Sequence, residues 1–500
     1  MVIDGKLIII REYCTFFEEL YNLFCNCFFR FVKKKVMKKL LSSLFALILS
    51  LVPVSAQSVI PAFRPGEVVA LVGDSITHGG HYHSYIWLYY MTRFPGMPVT
   101  LINCGVGGDE ARSILDRWDW DVARRGPTYV TLTFGMNDTG YWDTYGPGKP
   151  DSLSNAKVAA SLDKFAGVLD KIEALPSDTR IVMIGGSPYD ETSRFNNGIL
   201  PGKNAAIRKI IAAQEKAAAE RGWGFVDFNA PMLEIASAVQ AADTAYSFYP
   251  QDRIHPDKDG QMVMAYLFLK AQGLAGKKVA EVDVDASNRR VLRHDNCKVN
   301  SVRKGDGTLS FDYLAQALPY PCDSISEHGW GNIHSQRDAM KLIPFMEEFN
   351  QEILRVRNLP EGRYRLVIDG QPVSEFSSEA LAEGINMAAL TNTPQYRQAS
   401  AVMYLNEERF EIEKHLREYV WMEYNMFRGT DQLFKDDWKS VEMVEKEAKT
   451  NWFVAYSDYW YKKSRCPEIR EVWQRQIEDI VRTIYSVNQP VTRTLKLEKI

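Results

Sequence analysis

The chain has 500 residues, 46% apolar and 25% charged, enough for two or three globular domains because a single core rarely grows beyond about 250 residues. That composition excludes intrinsic disorder over most of the length. A formal net charge of −3 lacks the basic excess on which nucleic-acid binding usually rests, so no nucleic-acid partner is expected.

Near the N-terminus, Leu40 to Val52 is an apolar run, behind Lys33, Lys34, Lys35, Lys38 and Lys39 and ahead of Val54-Ser55-Ala56. Basic residues, a short apolar core and small residues in that order predict a secretory signal peptide; the 13-residue run is shorter than the roughly 20 residues needed to cross a bilayer. Gln57 follows Ala56 where a lipid anchor would need cysteine, so no stable membrane anchor is expected. Residues 1–36, with Cys14, Cys25 and Cys27, make an unusually long leader, and translation is expected to start at Met37. Removing residues 1–56 takes away eight Lys/Arg and four Asp/Glu, which moves the net charge from −3 to −7. The exported chain is expected in the periplasm or outside the cell. It keeps four cysteines, Cys104, Cys297, Cys322 and Cys466, too few for a disulfide-built scaffold. A Cys297–Cys322 bridge and free buried thiols are both compatible with export, and no Cys-x-x-Cys spacing suggests zinc.

Short apolar runs then alternate with longer amphipathic segments, the pattern of a mainly parallel sheet covered by helices. The predicted strands are Val68–Val72, Val99–Asn103, Tyr129–Phe134, Arg180–Ile184 and Gly224–Asp227. The predicted helices are Tyr82–Arg93, Glu110–Arg124, Asn155–Ala174, Asn204–Arg221 and Asp257–Gln272. These elements make a doubly wound α/β domain over 57–276. The stretch 277–345 reads as a linker with short strands. Residues 346–500 read as a mainly helical region with one small β-hairpin, in which Arg363–Ile368 and Gln371–Val373 flank the turn Asp369-Gly370. Behind Pro467, Ile469, Val472, Trp473, Ile477, Ile480, Val481 and Ile484 recur at helical spacing.

Four blocks carry chemistry. Gly73-Asp74-Ser75 ends the first strand, where a serine is exposed above the sheet. The second strand runs into Gly105-Val106-Gly107-Gly108-Asp109, the third into Gly135-Met136-Asn137-Asp138, and Asp252-Arg253-Ile254-His255 precedes the last helix of the domain. A serine hydroxyl is a poor nucleophile at pH 7, so it needs an imidazole to take its proton and a carboxylate to orient that imidazole. The spacing of Asp252 and His255 lets the carboxylate reach Nδ1 while Nε2 faces Ser75. Backbone N–H groups of Gly108 and Ser75 with the Asn137 amide would stabilise an oxyanion, although Gly105 and Gly107 compete with Gly108 for that role.

The four blocks, in this order and each at a strand end or loop, resemble the SGNH hydrolase, or GDSL esterase, family across residues 67–273. The resemblance implies a flavodoxin-like three-layer α/β/α fold, a serine mechanism that needs no metal or other cofactor, and hydrolysis of carboxylic esters. It assigns Ser75, Asp252 and His255 to catalysis and Ser75, Gly108 and Asn137 to the oxyanion hole. No Gly-x-Ser-x-Gly elbow of an α/β-hydrolase surrounds the serine.

His78, His81 and His83 cluster beside the serine without a carboxylate at ligand spacing, so they are expected to be structural rather than metal-binding. Trp118, Trp120, Tyr141 and Trp142 flank the glycine and asparagine blocks. Aromatics at strand ends usually close the core, and Tyr141 and Trp142 are the candidates for substrate contact. A soluble polar ester, either a small molecule or a polysaccharide, fits the acidic exported chain better than a lipid surface. Exported members of the resembling family with an added C-terminal region suggest carbohydrate deacetylation. The alternatives are a lysophospholipase or short-chain arylesterase and, in another class, a glycan-binding protein on the same fold. The sequence leaves the oligomeric state open.

Overall fold

The computed structural model describes residues 60–194, 198–250, 252–324 and 333–500; the expected signal peptide and the region around Met37 lie outside them. Five parallel strands, β1 (Val68–Gly73), β2 (Thr100–Gly105), β3 (Tyr129–Leu132), β4 (Arg180–Gly185) and β5 (Gly224–Asp227), pair in the order β2-β1-β3-β4-β5. Each is a short apolar run of the kind that suits a strand with helices on both faces. The connecting helices are α1 (Ser75–Gly79), α2 (Tyr82–Arg93), α3 (Ala111–Arg117), α4 (Asp151–Glu173), α5 (Lys203–Arg221), α6 (Asn229–Gln240) and α7 (Lys258–Ala271). This is the expected three-layer arrangement. The order reverses beside β1, so the loops after β1, β2 and β3 converge at the crevice where such sheets carry their sites.

The predicted helix over Glu110–Arg124 is divided. After α3 the chain passes through a π-helical turn, Trp118–Val122, and a single 3₁₀ turn, Ala123–Arg125. The widened turn accommodates Arg117 and Asp121, both fully buried and bonded to each other through Arg117 Nη1 and Asp121 Oδ2 at 2.6 Å.

The stretch expected to be a linker with short strands contributes four strands to two sheets. Strands β6 (Ala280–Asp285), β7 (Arg290–Asp295), β8 (Cys297–Gly305) and β9 (Thr308–Ala315) join β10 (Glu352–Arg357), β11 (Arg363–Ile368), β12 (Gln371–Ser377), β13 (Ile385–Asn386) and β14 (Arg493–Lys499). They form a four-stranded sheet, β13-β10-β6-β7, and a five-stranded one, β12-β11-β14-β9-β8. Val282, Val284, Leu309, Phe311, Leu354, Leu366, Leu495 and Leu497 pack into a second core between them. The expected hairpin is present as β11–β12, at the edge of the larger sheet. Cys297 and Cys322 are separate buried thiols: the Cys297 S–H donates to the Glu281 carbonyl, so the bridge that export would permit does not form.

Between β13 and β14 the chain runs through α10 (Pro394–Met422), α11 (Trp438–Glu447), α12 (Trp452–Ser464) and α13 (Pro467–Val487); two shorter helices, α8 (Phe345–Phe349) and α9 (Ser378–Glu383), precede them. Thr393 caps α10 by accepting the Tyr396 N–H, with Pro394 in the first turn. α10 packs on α2 and reaches β2, and all twelve residues of α2 are buried. A helix on the outside of an α/β sheet normally leaves one face wet. Here that face is covered, so α10 is continuous with the core of the α/β domain.

Candidate active site

Gly73 ends β1, and the next residue, Asp74, is buried and accepts the Ile76 N–H at 2.9 Å, capping the short helix that Ser75 opens. Burial pushes the Asp74 carboxyl up to about 6. Ser75 is partly accessible, and its Oγ lies 2.8 Å from His255 Nε2. His255 Nδ1 in turn lies 2.5 Å from Asp252 Oδ2. The other oxygen of Asp252 accepts the N–H groups of Ile254 and His255, both at 2.9 Å. Burial alone would raise the Asp252 carboxyl, but the hydrogen bond from His255 and these N–H groups hold it below the usual carboxylate range. It stays ionised and keeps the imidazole in one orientation.

The loop that brings Asp252 and His255 together depends on Arg253, which the sequence reading passed over. Its backbone is left-handed, φ +70°, a conformation that costs a non-glycine residue about 1–2 kcal/mol. The side chain offsets this from a fully buried position: Nη1 donates to the carbonyls of Asp190 and Ser193 at 3.1 and 3.2 Å. The signal was an arginine between two candidate catalytic residues, but nothing local showed where it would point.

Asn137 is fixed at both ends of its amide. Nδ2 donates to the Asp109 carbonyl at 2.9 Å, and Oδ1 accepts the Tyr141 hydroxyl at 2.7 Å. One Nδ2 hydrogen is left to face an oxyanion. Tyr141, expected to touch substrate, therefore orients Asn137. Lys203 braces the same loop from a fully buried position: its ammonium donates to the carbonyls of Met136 and Gly140 at 2.6 Å and to Thr139 Oγ1 at 2.9 Å, and lies 4.0 Å from the centre of the Tyr141 ring. Trp142 is 63% exposed beside it. Trp118 is buried in the core, and Trp120 stacks on Phe434, so neither faces the serine's cleft as a free aromatic.

Gly108 is exposed and has φ +82°, a region that a side chain would strain. Its neighbour Gly107 is held on both sides. The Gly107 N–H donates to His78 Nδ1 at 3.2 Å, and its carbonyl accepts the indole N–H of Trp421 at 3.1 Å. Just before it, the Gly105 carbonyl accepts Arg417 Nε at 3.0 Å, while Arg417 grips both oxygens of Asp121 at 2.8 and 2.7 Å. Burial would raise the Asp121 carboxyl, but the guanidinium groups of Arg417, Arg125 and Arg117 hold it well below the usual carboxylate range.

The histidine cluster is buried. His78 faces Glu418, His81 faces Glu407, and the rings of His81 and His83 pack on Phe410, all three partners lying on α10. Among the described residues, one group brings three possible metal ligands together: Asp257, Asp259 and His334. Its oxygens already have partners, since Asp257 Oδ2 accepts the N–H groups of Ile333 and His334 and Asp259 Oδ2 accepts the Tyr246 hydroxyl. These bonds account for the cluster as a tie between α7 and the segment at 333–334.

Two family models match the chain: the GDSL-like lipase/acylhydrolase family over residues 71–263 and the diltiazem deacetylase C-terminal helical domain over 400–489. A solved structure, of a gut microbial diltiazem-metabolizing enzyme, is similar over 89% of this chain and 100% of its own, with 42% identity and a TM-score of 0.86. The acetylxylan esterase of Geobacillus stearothermophilus is 25% identical over 230 residues, 42% of this chain and 94% of that protein. The rhamnogalacturonan acetylesterase of Emericella nidulans is 27% identical over 198 residues, 37% of this chain and 78% of that protein.

Proposed function

The chain belongs to the GDSL-like lipase/acylhydrolase family and is a carboxylic ester hydrolase, and from that premise we propose that it removes acetyl groups from a carbohydrate through an acetyl-enzyme on Ser75. The observation that carries this mechanism is the hydrogen-bonded line from Ser75 through His255 to Asp252, beside an asparagine whose amide is locked. His255 Nε2 takes the Ser75 proton as Oγ attacks the ester carbonyl. The Ser75 and Gly108 N–H groups and Asn137 Nδ2 receive the oxyanion. The alcohol leaves with the proton from His255; water then adds by the same route, releasing acetate and restoring Ser75.

The acetyl group is supported by the names of the relatives, an acetylxylan esterase, a rhamnogalacturonan acetylesterase and a deacetylase helical domain. The sugar is supported by α12, which exposes Trp452, Phe453, Tyr456 and Tyr459 on one face, aromatic rings of the kind that stack on pyranose faces. A second reading, deacetylation of a small aromatic ester, draws on the whole-length likeness to the diltiazem-metabolizing enzyme. We also propose export, on the signal-like order of Lys33 to Ala56.

Wild type and Ser75→Ala compared on p-nitrophenyl acetate, p-nitrophenyl octanoate, acetylated xylan and diltiazem test these readings. Ser75→Ala should lose nearly all turnover. Acetate release from xylan supports the carbohydrate, release from diltiazem alone supports the second reading, and preference for octanoate overturns both.

A further inference from the structure

We infer that Trp421 of α10, together with His78, is a positioning residue that aims the Gly108 N–H at the oxyanion, so that the helical region forms part of the catalytic site. The inference deepens the mechanism proposed above and rests on its assignment of Gly108 as an oxyanion donor.

The argument begins with the peptide plane. The carbonyl of Gly107 and the N–H of Gly108 belong to one trans peptide unit, in which they point in opposite directions. Whatever fixes the carbonyl therefore aims the N–H. Here the carbonyl accepts the Trp421 indole N–H at 3.1 Å, across 314 positions of sequence. A flip of this peptide would break that bond and reverse the direction of the Gly108 N–H. The Asp109 N–H closes a turn on the Val106 carbonyl but does not fix the central peptide, and Gly107 and Gly108 are adjacent glycines with wide backbone freedom. The restraint has to come from outside.

His78 supplies the second restraint. Its Nδ1 accepts the Gly107 N–H at 3.2 Å, which requires that nitrogen to carry no proton. Burial, with Arg417 and Arg117 nearby, pushes the imidazole down to about 3, so it is neutral, and its Nε2 lies 3.7 Å from Glu418 Oε1 on α10. Packing agrees with the bonding: a Cβ built at Gly107 would approach the Trp421 indole to 3.2 Å. One residue of the loop thus has its N–H and its carbonyl both held by side chains, one on α1 and one on α10. A hydrogen bond to the carbonyl also polarises the peptide and strengthens the donor on its far side.

Trp421→Phe keeps the ring and removes the N–H. With p-nitrophenyl acetate its kcat should fall about tenfold, the size expected for one uncharged hydrogen bond felt in the transition state, with KM within about twofold. Inhibition by a trifluoromethyl ketone, whose adduct with serine carries the oxyanion, should weaken by the same factor. The thermal midpoint should stay near that of wild type. Gly107→Ala, which crowds the indole while keeping its N–H, should show the same kcat-selective loss. Wild-type kcat in Trp421→Phe, a loss confined to KM, or a loss that tracks a lowered midpoint would overturn the inference. Asn137→Ala separates this from failure of the mechanism itself: if that variant retains near-normal activity, the oxyanion reading falls first, whereas if it is crippled and Trp421→Phe is normal, only the role of α10 falls.

Discussion

The two loops that flank Ser75 are held by different means. The asparagine loop is braced from within its own domain: Lys203 ties three acceptors between Met136 and Gly140, and Tyr141, four residues from Asn137, fixes the amide. The glycine loop is braced from two sides: His78 and Arg117 hold it from within the domain, and Arg417 and Trp421 hold it from a helix more than three hundred positions away. A loop with side chains can be oriented by its own neighbours. At Gly107 and Gly108 the loop gains access for an oxyanion but has no side chain to hold, and is held there through its peptide groups.

Removing the locally held donor should have the largest effect. Asn137→Ala is expected to lower kcat by about 10²–10³, the range for one side-chain oxyanion donor, with KM little changed; near-normal turnover on p-nitrophenyl acetate would remove Asn137 from the site. The external hold on the glycine loop is broken by Arg417→Ala, which leaves Asp121 with Arg117 and Arg125 as partners. Losing one member of a buried charge network should cost about 3 kcal/mol, read from the urea midpoint. A wild-type midpoint would mean that α10 is not anchored through this residue.

The smallest effect sharpens the contrast. Burial pushes the Lys203 ammonium down to about 7, so above that pH the folded chain binds the proton less tightly than the unfolded chain does. Stability should therefore rise from about pH 7 toward the ordinary lysine value, and below pH 7 both states are protonated and the slope vanishes. In Lys203→Met this contribution is absent, so the thermal midpoint of wild type should gain on the variant between pH 7 and pH 9. Parallel profiles would show that the lysine does not titrate in the fold.

How much of this was legible in the sequence follows from the range of the forces involved. Strands β1 to β5 and the helix Tyr82–Arg93 were readable because short apolar runs and helical periodicity are local signals. The serine, asparagine and Asp-x-x-His blocks were readable because each lies at a strand end or on a loop in a fixed order. The sandwich was not. β6 alternates Ala280, Val282 and Val284 with Glu281, Asp283 and Asp285, and the charged set is buried as well, with Glu281 paired to Lys278 and Arg355 and Asp283 to Arg357. The pairs with Arg355 and Arg357 span 74 positions and leave no trace in a window of ten. α6 was missed because Pro231 in its first turn resembles a break, although proline is tolerated there. The bond from Tyr141 to Asn137 was not legible because a tyrosine beside a site looks the same in sequence whether its hydroxyl meets a substrate or an amide.

The place of β14 in its sheet bears on how the chain is made. β14 lies between β9 and β11, with Leu495 opposite both Phe311 and Ile368. A nascent chain that has emerged only through Ile484 already contains every residue proposed for catalysis and positioning, yet presents two unpaired strand edges where β14 belongs. Such edges are templates for aggregation, and pairing over some 180 residues is slow because a long loop must close first. The larger sheet therefore cannot close until synthesis reaches Lys499, and until then β9 and β11 each present an open edge.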